Sequence, residues 1–150
     1  MYRTAGKKAG ALVLVGDVLK GVIAAGAGWI IDDRRLAMLC WAVAVVGHIF
    51  PIGHRGGKGV ATCAGFLLVL YPWIVVALGV AFFVIARVFR KASIGSLVCC
   101  VGFPILVAVF HPAWEALATT ALAILVLSRH WPNIQRLLHG TELSTGSSGS

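Results

Sequence analysis

Residues 53–62, GHRGGKGVAT, place four glycines and two fixed cations between strongly apolar runs. Glycine lets a backbone approach a ligand closely and turn N–H groups toward it. Arg55 and Lys58 add positive charge. The ligand this chemistry suits is an anion, above all a phosphate; an ordinary basic loop is the bland alternative. The loop is not a Walker A motif. Lys58 is followed by Gly59 rather than Ser or Thr, and the spacing to an earlier glycine is wrong.

Other residues carry weaker signals. Asp17 and Lys20 lie three apart inside an apolar run, so they share a helix face. Ionisable groups at membrane depth normally pair or face the bundle interior. Asp17 and Lys20 therefore read as an ion pair, or as the floor of a polar site. The segment RTAGKKAG, with Arg3, Lys7 and Lys8, reads as a basic flank of the first run. In RHWPNIQRLLHGTE, residues 129–142, His130, Asn133 and Arg136 follow one another at single helical turns. That donor-rich stripe suits a phosphate or a carbonyl oxygen, or else is a solvated amphipathic end. His48, in GHIFP, sits at the end of an apolar run, where a lone histidine is more often structural than catalytic. Ser93 and Ser96 share a face and can donate hydrogen bonds, but no Asp–His relay accompanies them, which argues against a serine-hydrolase triad.

These residues are set in an unusually apolar chain. Of its 150 residues, 59% are hydrophobic and 12% charged, with a mean hydropathy of +0.94. Soluble domains average roughly 45–50% apolar and about 25% charged, so a soluble domain is excluded and an all-α integral membrane protein is expected. The net charge of +8 fits basic cytoplasmic loops; no nucleic-acid motif accompanies it. Cys40, Cys63, Cys99 and Cys100 lack CxxC spacing and read as small buried hydrophobes rather than metal ligands or disulfides. The polar, basic start leads directly into a full-length span, so no cleavable signal peptide is expected.

Six apolar runs are predicted to be helices: residues 9–31, 36–52, 60–70, 73–89, 94–110 and 113–128. The breaks are DDRR, the glycine loop, Tyr71-Pro72, RVFRKAS and His111-Pro112, and Pro104 is expected to kink the fifth run. About 20 residues cross a bilayer. Two runs are short, which suggests re-entrant or interfacial motif loops lining a wet cavity. With a cytoplasmic N-terminus, the inside holds Arg3, Lys7, Lys8, Arg55, Lys58, Arg87, Arg90, Lys91, Arg129 and Arg136, and the outside only Arg34 and Arg35. The positive-inside rule favours that orientation. It puts the glycine loop and the 129–142 segment on one face. The expected organisation is one membrane domain over residues 1–142 and a disordered or linker-like tail over 143–150.

Taken in order, RTAGKKAGALVLVGDVLKG, GHIFPIGHRGGKGVAT, ASIGS and RHWPNIQRLLHGTE resemble the bacterial membrane glycerol-3-phosphate acyltransferases of the PlsY type, which use acyl phosphate as donor. The resemblance runs from about residue 2 to residue 142. It implies a seven-helix enzyme of the bacterial inner membrane with a cytoplasmic site. Such an enzyme transfers a fatty acyl group from acyl phosphate to the 1-hydroxyl of glycerol 3-phosphate, giving lysophosphatidic acid in phospholipid synthesis. No acyl-CoA, metal or organic cofactor is implied. Membrane lipids are the surroundings, and the enzyme that forms the acyl phosphate is a possible partner. By resemblance, Arg3, Lys58, His130 and Asn133 are the catalytic set. Gly56, Gly57 and Gly59 cradle the acyl phosphate, and Arg55, Ser93, Ser96, Lys8 and His48 complete substrate binding.

Two departures stand out. The family's first motif opens with a GSGNxGATN-like loop after a preceding helix, whereas this sequence begins inside that motif. About six spans are therefore expected in place of seven, without the motif's serine. Arg55 stands where the family usually has Lys, which keeps the charge and changes its geometry. The alternatives to the enzyme are an inactive family remnant and a small transporter; no internal repeat supports the latter.

Overall fold

The computed structural model describes residues 6–53 and 56–144. Arg3 and Arg55, and most of the expected tail, lie outside the described residues. Among those described, the chain forms seven helices: α1 Gly6–Ile30, α2 Arg34–Ile49, α3 Val60–Leu70, α4 Pro72–Phe89, α5 Ala92–Phe110, α6 Ala113–Ser128 and α7 Trp131–Leu138. All six apolar runs are helical, and the seventh helix lies in the segment after them. Backbone packing divides the chain into two compact units, Met1–Pro72 and Trp73–Ser150.

Among the described residues, three helices are long and apolar enough to cross a membrane: Lys8–Ile30 within α1, α4 and α5. The six expected spans thus separate into three full-length ones and three shorter helices. At about 1.5 Å per residue, α3, with 11 residues, reaches roughly half of the ~30 Å hydrocarbon core. The short helices therefore need neighbours to screen their ends. α4 meets no such need: nearly all its length is unburied apolar surface, as suits a lipid-facing helix.

Local chemistry sets the boundaries. Asp33 caps α2, its carboxylate accepting from the backbone N–H groups of Arg35 at 2.9 Å and Leu36 at 3.0 Å. Pro72 begins α4, where its missing N–H is no loss. Pro104 is accommodated within α5, which runs on to Phe110.

In the first unit, α1 packs on α2 and α3. A Cβ on Gly21 of α1 would collide with the Thr62 carbonyl of α3, and one on Gly65 of α3 with the Val18 carbonyl of α1. This reciprocal small-residue contact lets two backbones approach, the usual way apolar helices associate where lipid removes the hydrophobic driving force. Trp41 stacks on Phe66, centroids 4.4 Å apart and planes within 5°. Ala25, Ala37, Val45 and Ile49 complete the core. In the second unit α5 pairs with α6 around Phe103, Val107, Leu122 and Val126.

Candidate active site

The first unit presents the glycine loop at the start of α3. Gly59 is the N-cap, at φ 87°, in the left-handed region that disfavours side chains. Gly57 N–H donates to the His48 carbonyl at 3.2 Å. A Cβ on Gly56 would strike the Ile49 carbonyl, and one on Gly57 would strike His48 Nε2. The loop is therefore folded tightly over the end of α2, and its glycines are steric requirements. Lys58 is exposed on it. Lys8 is exposed near the start of α1.

Asp17 does pair with Lys20, at 3.1 Å, as the spacing predicts. It also meets His48: Asp17 Oδ1 lies 3.1 Å from His48 Nδ1. That second contact joins α1 to the end of α2 and is invisible in the spacing of either helix.

The second unit gathers a different set. Gly140, at φ 68°, ends α7 in a Schellman turn: its N–H donates to the Leu137 carbonyl at 3.2 Å, and Thr141 N–H donates to the Arg136 carbonyl at 2.8 Å. The turn swings Glu142 back over the helix. There its carboxylate accepts from Asn133 Nδ2 at 2.8 Å and from Arg136 Nε at 2.7 Å. Burial pushes the Glu142 carboxyl up. The contacts from Asn133, Ser93 and Arg136, with the Arg136 charge, outweigh it and hold the carboxyl below its ordinary range.

One buried polar atom in this cluster, Asn133 Oδ1, has no hydrogen-bond partner among the described residues. Ser93 lies against the Glu142 carboxylate, and its hydroxyl helps to hold that charge. With Asn133 Nδ2 given to Glu142, Oδ1 is left as an acceptor. A buried amide oxygen left as an acceptor suits an alcohol, whose O–H can donate to it. Leaving such an atom unpaired in a protein interior costs about 1–3 kcal/mol.

His130 is also buried, 1% exposed, with Nδ1 2.9 Å from the Val126 carbonyl. That carbonyl can only accept, so Nδ1 carries a proton. The structure thus brings Ser93, Asn133 and Arg136 to one carboxylate. Ser96, one turn beyond Ser93, is half-buried. Glu142 was the residue whose part sequence reasoning missed, although it closes the quoted motif.

Comparison with known proteins decides the lineage. Residues 1–140 match the profile of the glycerol-3-phosphate acyltransferase family. The chain belongs to that family. A glycerol-3-phosphate acyltransferase of Cupriavidus pinatubonensis is 40% identical, over 97% of this chain and 76% of its own. One from Neisseria meningitidis serogroup B is 38% identical, over 99% and 78%. Two solved structures are also similar, both crystal forms of PlsY (YgiH), an integral membrane glycerol 3-phosphate acyltransferase. The glycerol 3-phosphate form superposes with a TM-score of 0.89 at 30% identity, covering 97% of this chain and 76% of that one. The lysophosphatidic acid form gives 0.87 at 30%, covering 95% and 76%. The chain is accordingly an integral membrane protein of an acyltransferase family.

Proposed function

We propose that this chain transfers a fatty acyl group from acyl phosphate to the 1-hydroxyl of glycerol 3-phosphate at the cytoplasmic face of the bacterial inner membrane. The observation that carries the reading is the buried amide oxygen of Asn133, which has no hydrogen-bond partner among the described residues, in a chain of this family. The excess of Lys and Arg on one set of loops supports the orientation.

The reaction needs little from the protein beyond placement and charge. The glycerol hydroxyl oxygen attacks the acyl carbon, the bond from that carbon to the phosphate oxygen breaks, and inorganic phosphate leaves with the electron pair. The hydroxyl proton passes to a phosphate oxygen of the substrates, so no protein base is required. Asn133 Oδ1 accepts the hydroxyl's hydrogen bond in the bound substrate and aims the oxygen at the acyl carbon, and the proton turns from it to the phosphate oxygen as the new bond forms. Ser93 orients the same substrate. His130, buried one helical turn before Asn133, completes the set. Lys58, with Arg3 and Arg55, neutralises phosphate charge, and the N–H groups of Gly56, Gly57 and Gly59 supply backbone donors. Lys8 adds charge at the approach, and Ser96 has the weaker claim of the two serines. Positioning and preorganised charge are the two largest sources of rate available to such a site. The donor implies a preceding reaction that makes acyl phosphate.

The test is acyl transfer by the purified chain in lipid, with labelled glycerol 3-phosphate and either acyl phosphate or acyl-CoA. Lysophosphatidic acid from acyl phosphate alone is the expected result. Product from acyl-CoA alone, or from neither donor, would overturn it.

A further inference from the structure

The pair Asp17–His48 lies outside the reacting groups just described, yet the glycine loop rests on it. Both side chains are largely buried, Asp17 14% and His48 11% exposed. His48 touches the loop twice. Its carbonyl accepts the Gly57 N–H at 3.2 Å, and its ring lies against Gly57, so that a Cβ there would overlap Nε2 and sit 2.7 Å from Cε1.

A side-chain ring can usually swing away from such a clash. This one is held, because Nδ1 is 3.1 Å from Asp17 Oδ1. A carboxylate can only accept, so it fixes the proton on Nδ1 and the ring's orientation. Asp17 is in turn neutralised by Lys20 at 3.1 Å. From α1, then, a carboxylate sets a histidine on α2; the histidine sets Gly57; and Gly57 precedes Lys58 in the chain.

We propose that Asp17 and His48 are positioning residues for the phosphate-binding loop, acting through Gly57 to place Lys58 and the loop N–H groups. The inference rests on the reading of that loop as the site of a substrate phosphate. Ordering a glycine-rich segment is entropically expensive, about 1–2 kcal/mol per residue. A fixed ring beneath it supplies the order before substrate arrives. A misplacement of about 1 Å in such a site can lower the rate by about 10²-fold.

The test uses the full chain in lipid and two independent readouts. One is amide hydrogen exchange of residues 53–62 without substrate. The other is steady-state acyl transfer. Asp17→Asn and His48→Ala should each accelerate loop exchange about tenfold or more while the cores of α1 and α3 stay protected. They should also raise KM for a phosphate substrate about tenfold, with kcat changed far less. His48→Gln, which keeps a polar group of similar reach, should recover part of both effects.

A double-mutant cycle sharpens the point. Gly57→Ala should be severe alone and add less than about twofold in the His48→Ala background, because the colliding ring is gone. Unchanged loop exchange in Asp17→Asn and His48→Ala would overturn the proposal, as would additive effects of Gly57→Ala and His48→Ala. If the parent chain transfers no acyl group, the reaction assigned above fails. The exchange measurement and its cycle still decide the positioning role.

Discussion

The glycine loop of the first unit and the polar cluster of the second are built in opposite ways. The loop is made of backbone: glycines that admit no Cβ, N–H groups, and a single exposed cation, Lys58, among its described residues. The cluster is made of side chains: Asn133, Arg136 and Ser93 around a buried carboxylate. Backbone amides suit a diffuse, symmetric charge such as a phosphate, where orientation matters little. Side-chain atoms at fixed places suit a hydroxyl, where one lone pair and one proton must be aimed. On the proposed reading the difference is a division of labour: one region would neutralise charge, and the other would select and point the nucleophile.

The strongest way to break the comparison is to remove one member from each side. Lys58→Ala and Asn133→Ala are each expected to lower kcat/KM for acyl transfer by about 10²-fold or more while the protein still inserts in the membrane. Normal turnover in either variant would take that residue out of the site. Next in size is Glu142→Ala, which strips Asn133 and Arg136 of their acceptor. Hydrogen bonds to charged groups are worth about 1.5–3 kcal/mol, so thermal stability and turnover should fall together. A stable variant with full activity would show that the strap does not hold Asn133.

A subtler contrast lies within the loop. A Cβ at Gly56 meets the Ile49 backbone carbonyl, which cannot move, whereas one at Gly57 meets a side chain. Gly56→Ala should therefore raise KM more than Gly57→Ala does, and removal of the His48 ring should relieve only the latter.

The pH dependence follows from Glu142. Its folded pKa is depressed, so its stabilisation is complete above the unfolded value, about 4.3, and is lost as pH falls through the folded value. Thermal midpoints should hold from neutral pH down to about pH 5 and drop below it, and Glu142→Gln should flatten that drop. The smallest effect belongs to Lys20→Ala. Its side chain is 58% unburied, and Asp17 keeps His48 at 3.1 Å as a second partner. Its thermal midpoint should therefore move little.

Legibility in the sequence followed the same divide. The loop announced itself, because a glycine run with cations is a local signal. Two helices, Val60–Leu70 and Ala113–Ser128, are bounded by the residues the sequence marks, since glycine and proline act on their immediate neighbours. Asp17 with Lys20 was legible for the same reason, being three residues apart. The contact of Asp17 with His48 was not, because it depends on how α1 and α2 pack. Glu142 is nine residues from Asn133 and six from Arg136, and only the left-handed turn at Gly140 brings them together. Asn133 and His130 are buried there, where a solvated end was the alternative reading. The expectation of six spans rested on apolarity; of those six runs, three form helices long and apolar enough to cross a membrane and three form shorter helices.

The division of labour itself can be measured by ligand stabilisation of the intact protein in lipid, with inorganic phosphate and glycerol 3-phosphate as probes. A ligand that binds only the folded state raises the thermal midpoint by mass action. The account predicts that Lys58→Ala loses stabilisation by both probes. Asn133→Ala should keep the response to inorganic phosphate and lose the advantage of glycerol 3-phosphate over it. Equal loss of both responses in the two variants, or a phosphate response that depends on Asn133 and not on Lys58, would contradict it.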